Sequence, residues 1–253
     1  MKDSENLYDK IRELIGTSPG SVNIMDDIID VDLQVEYFEY SKRISTEFDG
    51  EWALDQIDLL QDSDYPLKGK KQILTRLASM EDVSAYRAIE TYAGDPDKGL
   101  RDWSILALQE SRMHLESHFL EENQVFISTG LGGRGNKLRY FVVLIARDRR
   151  VLTDFQKKII QEEFPYVLKK YEGEVEEIDF SGYLTTMLLL IPIQHPINDL
   201  FSEGILECNQ YGDFLHENCI ATNVKKLSFE EVEAFIEKRQ TGNDPGDTEE
   251  NMN

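Results

Sequence analysis

Gly130-Leu131-Gly132-Gly133-Arg134-Gly135-Asn136-Lys137 lies between two apolar, β-branched runs, Val125-Phe126-Ile127 and Leu138 to Ala146. Strand, glycine loop, strand is the reading that this pattern supports. It decides the fold, because the chain before residue 122 carries helical periodicity and the chain after it mixes strands with helices. Gly130, Gly132 and Gly135 also match G-x-G-x-x-G. A dinucleotide site needs a helix directly after such a loop, so that its first amides meet the pyrophosphate. Leu138-Arg139-Tyr140-Phe141-Val142-Val143 reads as strand instead, which excludes that site. A kinase-type glycine loop does lie between strands, but the chain has no V-A-I-K or H-R-D pattern, and Asp179-Phe180-Ser181-Gly182 is not the metal-binding triplet.

Downstream of the loop, Thr153 and Gln156 form a capping box. They open a helix carrying Phe155, Ile159, Ile160, Phe164, Val167, Leu168 and Tyr171, which Pro165 is expected to kink or split. Glu174 to Phe180 and Leu184 to Ile193 read as strands. Asn198 is expected to cap a helix bearing Leu200, Phe201, Ile205 and Leu206. Cys219 to Val224 reads as a short strand, and Ser228 with Glu231 makes a second capping box. The element order after residue 122 is therefore β-β-α-β-β-α-β-α. By that order the segment resembles a ferredoxin-like α/β sandwich, a split βαβ sheet with an extra leading strand. Such a likeness implies no function by itself.

Upstream, Leu7, Ile11, Leu14 and Ile15 share a helical face that ends at Gly16 and Pro19. Ile24 to Tyr40 alternates acids with apolar residues and is read as a helix, with Ile28, Val31, Val35 and Phe38 on one face. Its acids, Asp26, Asp27, Asp30, Asp32, Glu36 and Glu39, have no base among them and form either a solvated face or an acidic docking surface. Further helices carry Ile73, Leu74 and Leu77, then Val83, Tyr86, Ala88, Ile89 and Tyr92, then Leu100, Trp103, Ala107 and Leu108. Two turns, Asp62-Ser63-Asp64-Tyr65-Pro66 and Asp95-Pro96-Asp97, superpose with their following helices at an offset of 31 residues. Asp64 falls on Asp95, Lys70 on Arg101, Leu74 on Ile105 and Leu77 on Leu108. Through Leu59 to Asp64 and Asp95 to Leu108, residues 51–116 resemble a HEAT-like repeat, which implies stacked helical hairpins with an exposed groove. An irregular bundle is the alternative. The expected fold is α+β, with a helical domain at 1–120, an α/β domain at 121–239 and a disordered acidic tail at 240–253.

The formal net charge is −22 over 253 residues. Such a charge repels nucleic acid and anionic membranes unless a local patch reverses its sign, so nucleic acid is not the expected partner. One patch does reverse it. Residues 134–158 hold Arg134, Lys137, Arg139, Arg147, Arg149, Arg150, Lys157 and Lys158 against Asp148 and Asp154, a net of +6. Glycine loops expose amides that can cradle anions, and arginine forks suit phosphate and carboxylate. The candidate anion- or partner-binding set is thus Gly130, Gly132, Gly133, Arg134, Gly135, Lys137, Arg139, Arg147, Arg149 and Arg150. The bland reading is a hairpin tip with bases that balance acids elsewhere in the fold.

No other cluster carries chemistry. His114 and His118 have metal-ligand spacing but no complete His-Glu-x-x-His order. Cys208 and Cys219 are too far apart in sequence for a zinc knuckle and read as buried thiols. The N-terminus, Met1-Lys2-Asp3-Ser4-Glu5, has no apolar run of the kind a signal peptide needs. Met187 to Ile193 is too short to span a bilayer. The expected protein is cytoplasmic, without cofactor or metal. Its expected role is that of a non-enzymatic adaptor binding a protein partner through its helical surface and basic patch. The alternatives are an α/β domain that binds a phosphorylated small ligand or acts as an enzyme, and an α/β domain that binds RNA through sheet aromatics.

Overall fold

The computed structural model describes residues 22–45, 50–120 and 125–240. The helix expected at residues 7–15 and the tail from 241 lie outside the described residues. The fold is α+β and divides between Asn136 and Lys137 into two units, 22–136 and 137–240 among the described residues.

In the first unit, strand β1 (Val22–Ile24) pairs in parallel with β2 (Val125–Ile127). The helices are α1 (Val31–Ser45), α2 (Gly50–Asp55), α3 (Leu67–Ala78), α4 (Val83–Gly94) and α5 (Arg101–Leu120), with a 3-10 turn at Ile57–Leu60. A two-residue strand, β3 (Gly133–Arg134), closes the unit. Aspartates start two of the helices. The Asp30 carboxylate accepts from the amides of Asp32 and Leu33, and that of Asp82 accepts from Ser84 and Ala85, so amides that lack a helical partner are satisfied locally.

Helix α1 corrects the expected face. Ile28, Val35 and Phe38 are exposed, whereas Gln34, Tyr37, Ser41 and Ile44 are buried. Polar residues face inward because each finds a partner there. Gln34 Nε2 donates to the Ile29 carbonyl at 2.8 Å. The Tyr37 hydroxyl and the Ser41 hydroxyl both donate to the Glu110 carboxylate. A satisfied polar group can occupy a core position that hydrophobic periodicity alone assigns elsewhere. Trp103 fills the centre, its indole N–H donating to Thr75 Oγ1 at 3.1 Å. Its ring meets Tyr37 and Tyr40 edge-on, at centroid distances of 5.0 and 5.5 Å.

The HEAT-like equivalence fails at its own matched positions. Lys70 is 1% exposed and bound to Asp97, while Arg101, its supposed counterpart, is 61% exposed and pairs with Asp27. The helices are also unequal, with 12 residues in α3 and in α4 but 20 in α5. Together with α1 they enclose one core containing Tyr37, Leu74, Ile89 and Trp103. This is an irregular bundle, and the matched sequence positions do different work in it.

The second unit contains β4 (Lys137–Ile145), α6 (Asp154–Lys170), β5 (Glu174–Ser181), β6 (Leu184–Pro192), α7 (Ile197–Asn209), β7 (Ile220–Thr222) and α8 (Phe229–Gln240). The strand order is β7-β4-β6-β5, with every one of these neighbours antiparallel. Both expected capping boxes form, at Thr153/Gln156 and at Ser228/Glu231. Pro165 lies inside α6, which runs on as one helix of 17 residues. Asn198 lies inside α7, whose cap position is Pro196. Helices α6 and α7 pack their apolar stripes, among them Ile160, Phe164, Leu200 and Ile205, on Val142, Leu144, Met187 and Leu189 of the sheet. A Cβ added at Gly204 would lie 2.6 Å from the Phe164 ring, so the glycine sets the distance between these helices. Strand β5 carries a bulge between Val175 and Glu177. The extra residue puts both Val175 and Ile178 against the core and leaves Glu176 to turn outward.

The leading strand expected for this sheet is absent from it. Val125–Ile127 pairs with Val22–Ile24 in the other unit, so the ferredoxin-like sandwich with an added first strand is corrected on that point. Hydrophobic pattern shows that a segment is extended, but it carries no information about which edge the segment joins.

Candidate functional site

The glycine loop is buried from Gly130 to Gly133. Gly132 has φ +62°, and a Cβ there would stand 2.5, 2.7 and 2.9 Å from the carbonyl oxygens of Asp27, Asp26 and Met25. The Gly133 amide donates to the Met25 carbonyl at 2.8 Å, and the Gly132 amide to the Thr129 carbonyl at 3.1 Å. These glycines let two backbone segments approach each other, and both amides already have carbonyl partners. Gly135 and Arg134 are exposed.

The bases of the island diverge. Lys137 Nζ binds Glu174 at 2.6 Å. Arg139 makes a two-pronged contact with Glu176, the bulge residue of β5, at 2.5 and 3.1 Å. Both pairs reach across β6. Lys157 and Lys158 stand within 3.7 Å of Asp154 and Glu162 on their own helix. These four bases thus stand beside acids of their own unit. Of the RNA-stacking candidates, Phe141 is buried and Tyr140 is half-buried against the core.

Arg147, Arg149 and Arg150 are brought together on the turn from Ala146 to Arg150, between β4 and α6. Asp148 and Arg149 have φ of 55° and 51°. Two successive non-glycine residues in the left-handed region are costly, by about 1–3 kcal/mol each, and persist only where surrounding contacts hold them. Those contacts are visible. Ala146 bridges to Leu215, and the Arg147 amide donates to the Phe214 carbonyl at 2.8 Å. The opposing loop is fixed by Asn209, whose Oδ1 accepts from the amides of Phe214 and Leu215, and whose Nδ2 donates to the Leu215 carbonyl. Sequence reading passed over Asn209, because its partners are loop amides with no motif.

The three arginines point to different neighbours. Arg147 binds Asp213 at 2.9 Å and Glu217 at 3.3 Å, and its Nε donates to the Leu215 carbonyl. Arg149 lies 5.7 Å from the Tyr183 ring centroid and 3.6 Å from Glu233. Burial, and then the hydrogen bond to Glu233, push the Tyr183 phenol up to about 12, against the pull of Arg149. Arg150 is 83% exposed, with Asp148 at 3.8 Å.

The turn separates two clefts. One, of about 330 Å³, is lined by Arg147, Arg150, Thr153, Phe155, Gln156 and Tyr211 among others. Phe155 is 63% and Tyr211 54% exposed. The spacing of Phe155 to Ile159 pointed to the core, but the first turn of α6 overhangs the cleft instead. The other cleft, of about 390 Å³, is lined by Arg149, His216, Asn218, Ile220 and Ile236.

Among the described residues, no three of His, Cys, Asp and Glu come together in a way that could hold a metal. His114 faces Glu110 at 3.9 Å and His118 faces Glu81 at 2.9 Å. Cys208 is buried, and that burial raises its thiol to about 12, which removes the thiolate from neutral-pH chemistry. No described helix is long and apolar enough to cross a membrane.

No protein-family model and no curated protein sequence matches the chain. Solved structures do. A protein from Deinococcus radiodurans R1 assigned as a transposase aligns at 16% identity over 42% of this chain and 94% of its own, with a TM-score of 0.35. A REP-associated tyrosine transposase bound to a REP hairpin aligns at 10% identity over 42% of this chain and 68% of its own, with a TM-score of 0.31. Both of these neighbours carry the name transposase. The HEAT-like resemblance is withdrawn on the unlike settings of Lys70 and Arg101, and the ferredoxin-like one on the leading strand that pairs outside the sheet. The non-enzymatic adaptor built on a repeat groove goes with the HEAT-like resemblance, and the expectation that nucleic acid is not a partner does not accord with neighbours named as transposases. Scores of this size transfer no activity to this chain.

Proposed function

We propose that the α/β unit binds short single-stranded nucleic acid at the 330 Å³ cleft beside the Ala146–Arg150 turn. One grouping supports this reading. Arg150, Phe155 and Tyr211, each more than half exposed, line the same concave surface next to Arg147. A base stacked on an aromatic ring and a phosphate met by a guanidinium are the two contacts from which sequence-tolerant single-strand sites are built. Thr153 and the Gln156 Oε1 are engaged with each other in the capping box, which leaves the Gln156 Nε2 amide as a donor on that wall.

The acids set the electrostatics. Asp148 and Asp213 also line the cleft, and the chain carries −22. Only one or two phosphates are neutralised, and long duplexes are repelled. For one or two contacts the log–log salt slope is about −0.7 to −1.4. The test is fluorescence anisotropy of a labelled 12-mer at low salt. Binding weakens by about tenfold or more in Phe155→Ala, a stacking loss of ~1–3 kcal/mol, and also in Arg150→Glu. Equal affinity of both variants and the native chain, or no binding at low salt, overturns the proposal.

A further inference from the structure

We infer that the cleft between α1, α3 and the turn before α5 is a site for a small amphipathic anion, an aliphatic or aromatic carboxylate. The cleft holds about 510 Å³, within the range of small-ligand pockets. Leu67, exposed, and Tyr40, half-buried, supply its accessible apolar surface, over a floor of buried Leu100 and Trp103. Its charged residues are Arg43, Lys68 and Lys71 against Glu36 and Glu39, a net of +1. The chain through residue 122 carries 13 bases and 27 acids, a net of −14, so the cleft inverts the sign of its surroundings.

The individual side chains show where the anion goes. Lys71 is committed, with its ammonium 3.1 Å from Glu36 and 3.9 Å from the Trp103 ring centroid. Arg43 lies over the Tyr40 ring at 5.0 Å. Lys68 is exposed and has no hydrogen bond or ion pair with any described residue. It is the cation available to a ligand carboxylate, and Leu67 beside it is an exposed apolar contact. A polyanion is disfavoured by Glu36 and Glu39 on the same wall. A cation is disfavoured by the three bases, one of which already occupies the Trp103 face.

The probe is 1-anilinonaphthalene-8-sulfonate, followed by fluorescence, with decanoate and decyltrimethylammonium as competitors. The expected result is saturable binding that decanoate displaces and the cationic detergent at equal concentration does not. Lys68→Glu, at an exposed first-turn position where an acid suits the helix, weakens binding by about tenfold. Arg150→Glu, in the other unit, leaves it unchanged, which separates this site from the nucleic acid cleft. Non-saturable binding, equal displacement by both competitors, or identical titrations of Lys68→Glu and the native chain overturns the inference.

Discussion

Lys70 sits 1% exposed in the middle of the helical bundle, with its ammonium against the carboxylate of Asp97. Tyr92 completes the group, its hydroxyl donating to the same carboxylate at 2.7 Å. The ammonium, and then the tyrosine hydroxyl, hold the Asp97 carboxyl below its ordinary range. Removing one member of a buried pair leaves the other charge uncompensated. Asp97→Asn strands the buried ammonium and is expected to cost about 3–5 kcal/mol. Lys70→Met leaves a partly exposed carboxylate that still has Tyr92, and costs less. Urea denaturation of both variants checks the order.

The same pair gives a pH dependence. A carboxyl depressed in the folded state contributes stability above its unfolded value of 3.8 and loses it as pH falls through the folded value. Acid unfolding of the native chain therefore has a component below pH 3.8 that Asp97→Asn lacks. Melting temperatures between pH 2 and 6 for the two proteins measure the difference.

His114 behaves in the opposite sense. The Glu110 carboxylate 3.9 Å away, helped by the charge of Glu81, raises it above 6.5 despite partial burial. A raised histidine contributes stability that is fully present below pH 6.5 and is lost as pH rises through the folded value. NMR titration of the His114 ring is expected to show the raised value in the native chain. Glu110→Gln, which removes the charge, returns it towards 6.5. An unchanged titration would show that Glu110 is not the cause.

Gly132 tolerates no side chain. Its φ is +62°, and an added Cβ would stand 2.5 Å from the Asp27 carbonyl oxygen. The backbone strain alone costs about 1 kcal/mol, and the clash with three carbonyls adds to it. Gly132→Ala is expected to lower stability by more than Gly135→Ala, since Gly135 has φ +61° but open space around it. Comparing the two isolates the clash from the strain.

Gly204 and Phe164 form a matched pair between α6 and α7. Gly204→Ala overpacks the ring and is expected to cost about 1–3 kcal/mol, against the small gain an alanine brings to a helix interior. Adding Phe164→Leu makes room, so the double variant loses less than the two single losses added together. A double-mutant cycle by thermal melting decides it.

Local signals in the sequence were sound because their causes are local. The capping boxes at Thr153/Gln156 and Ser228/Glu231 form through hydrogen bonds across three residues, and Leu138 to Ala146, a short apolar, β-branched run, forms a strand buried on both faces. The +6 island was equally legible as composition. Its bases face acids as far off as Arg147 and Glu217 or Arg149 and Glu233, at separations no motif encodes. Phe155 looked like core, and only the overhang of the first turn of α6 made it a rim residue.

Sequence by itself therefore determined the helices and strands of residues 137–240, the acidic character of the chain and the presence of one cationic island, but it read Ile24 to Tyr40 as one helix where a strand ends at Ile24 and the helix begins at Val31. Tertiary structure alone decided that Val125–Ile127 pairs with Val22–Ile24, that α1 turns Tyr37 and Ser41 inward, and that the glycine loop meets backbone carbonyls. The physical reason is range. Capping, periodicity and turn formation are set by neighbours along the chain, whereas strand partners, satisfied buried polar groups and close backbone approach depend on residues some 70–100 positions away.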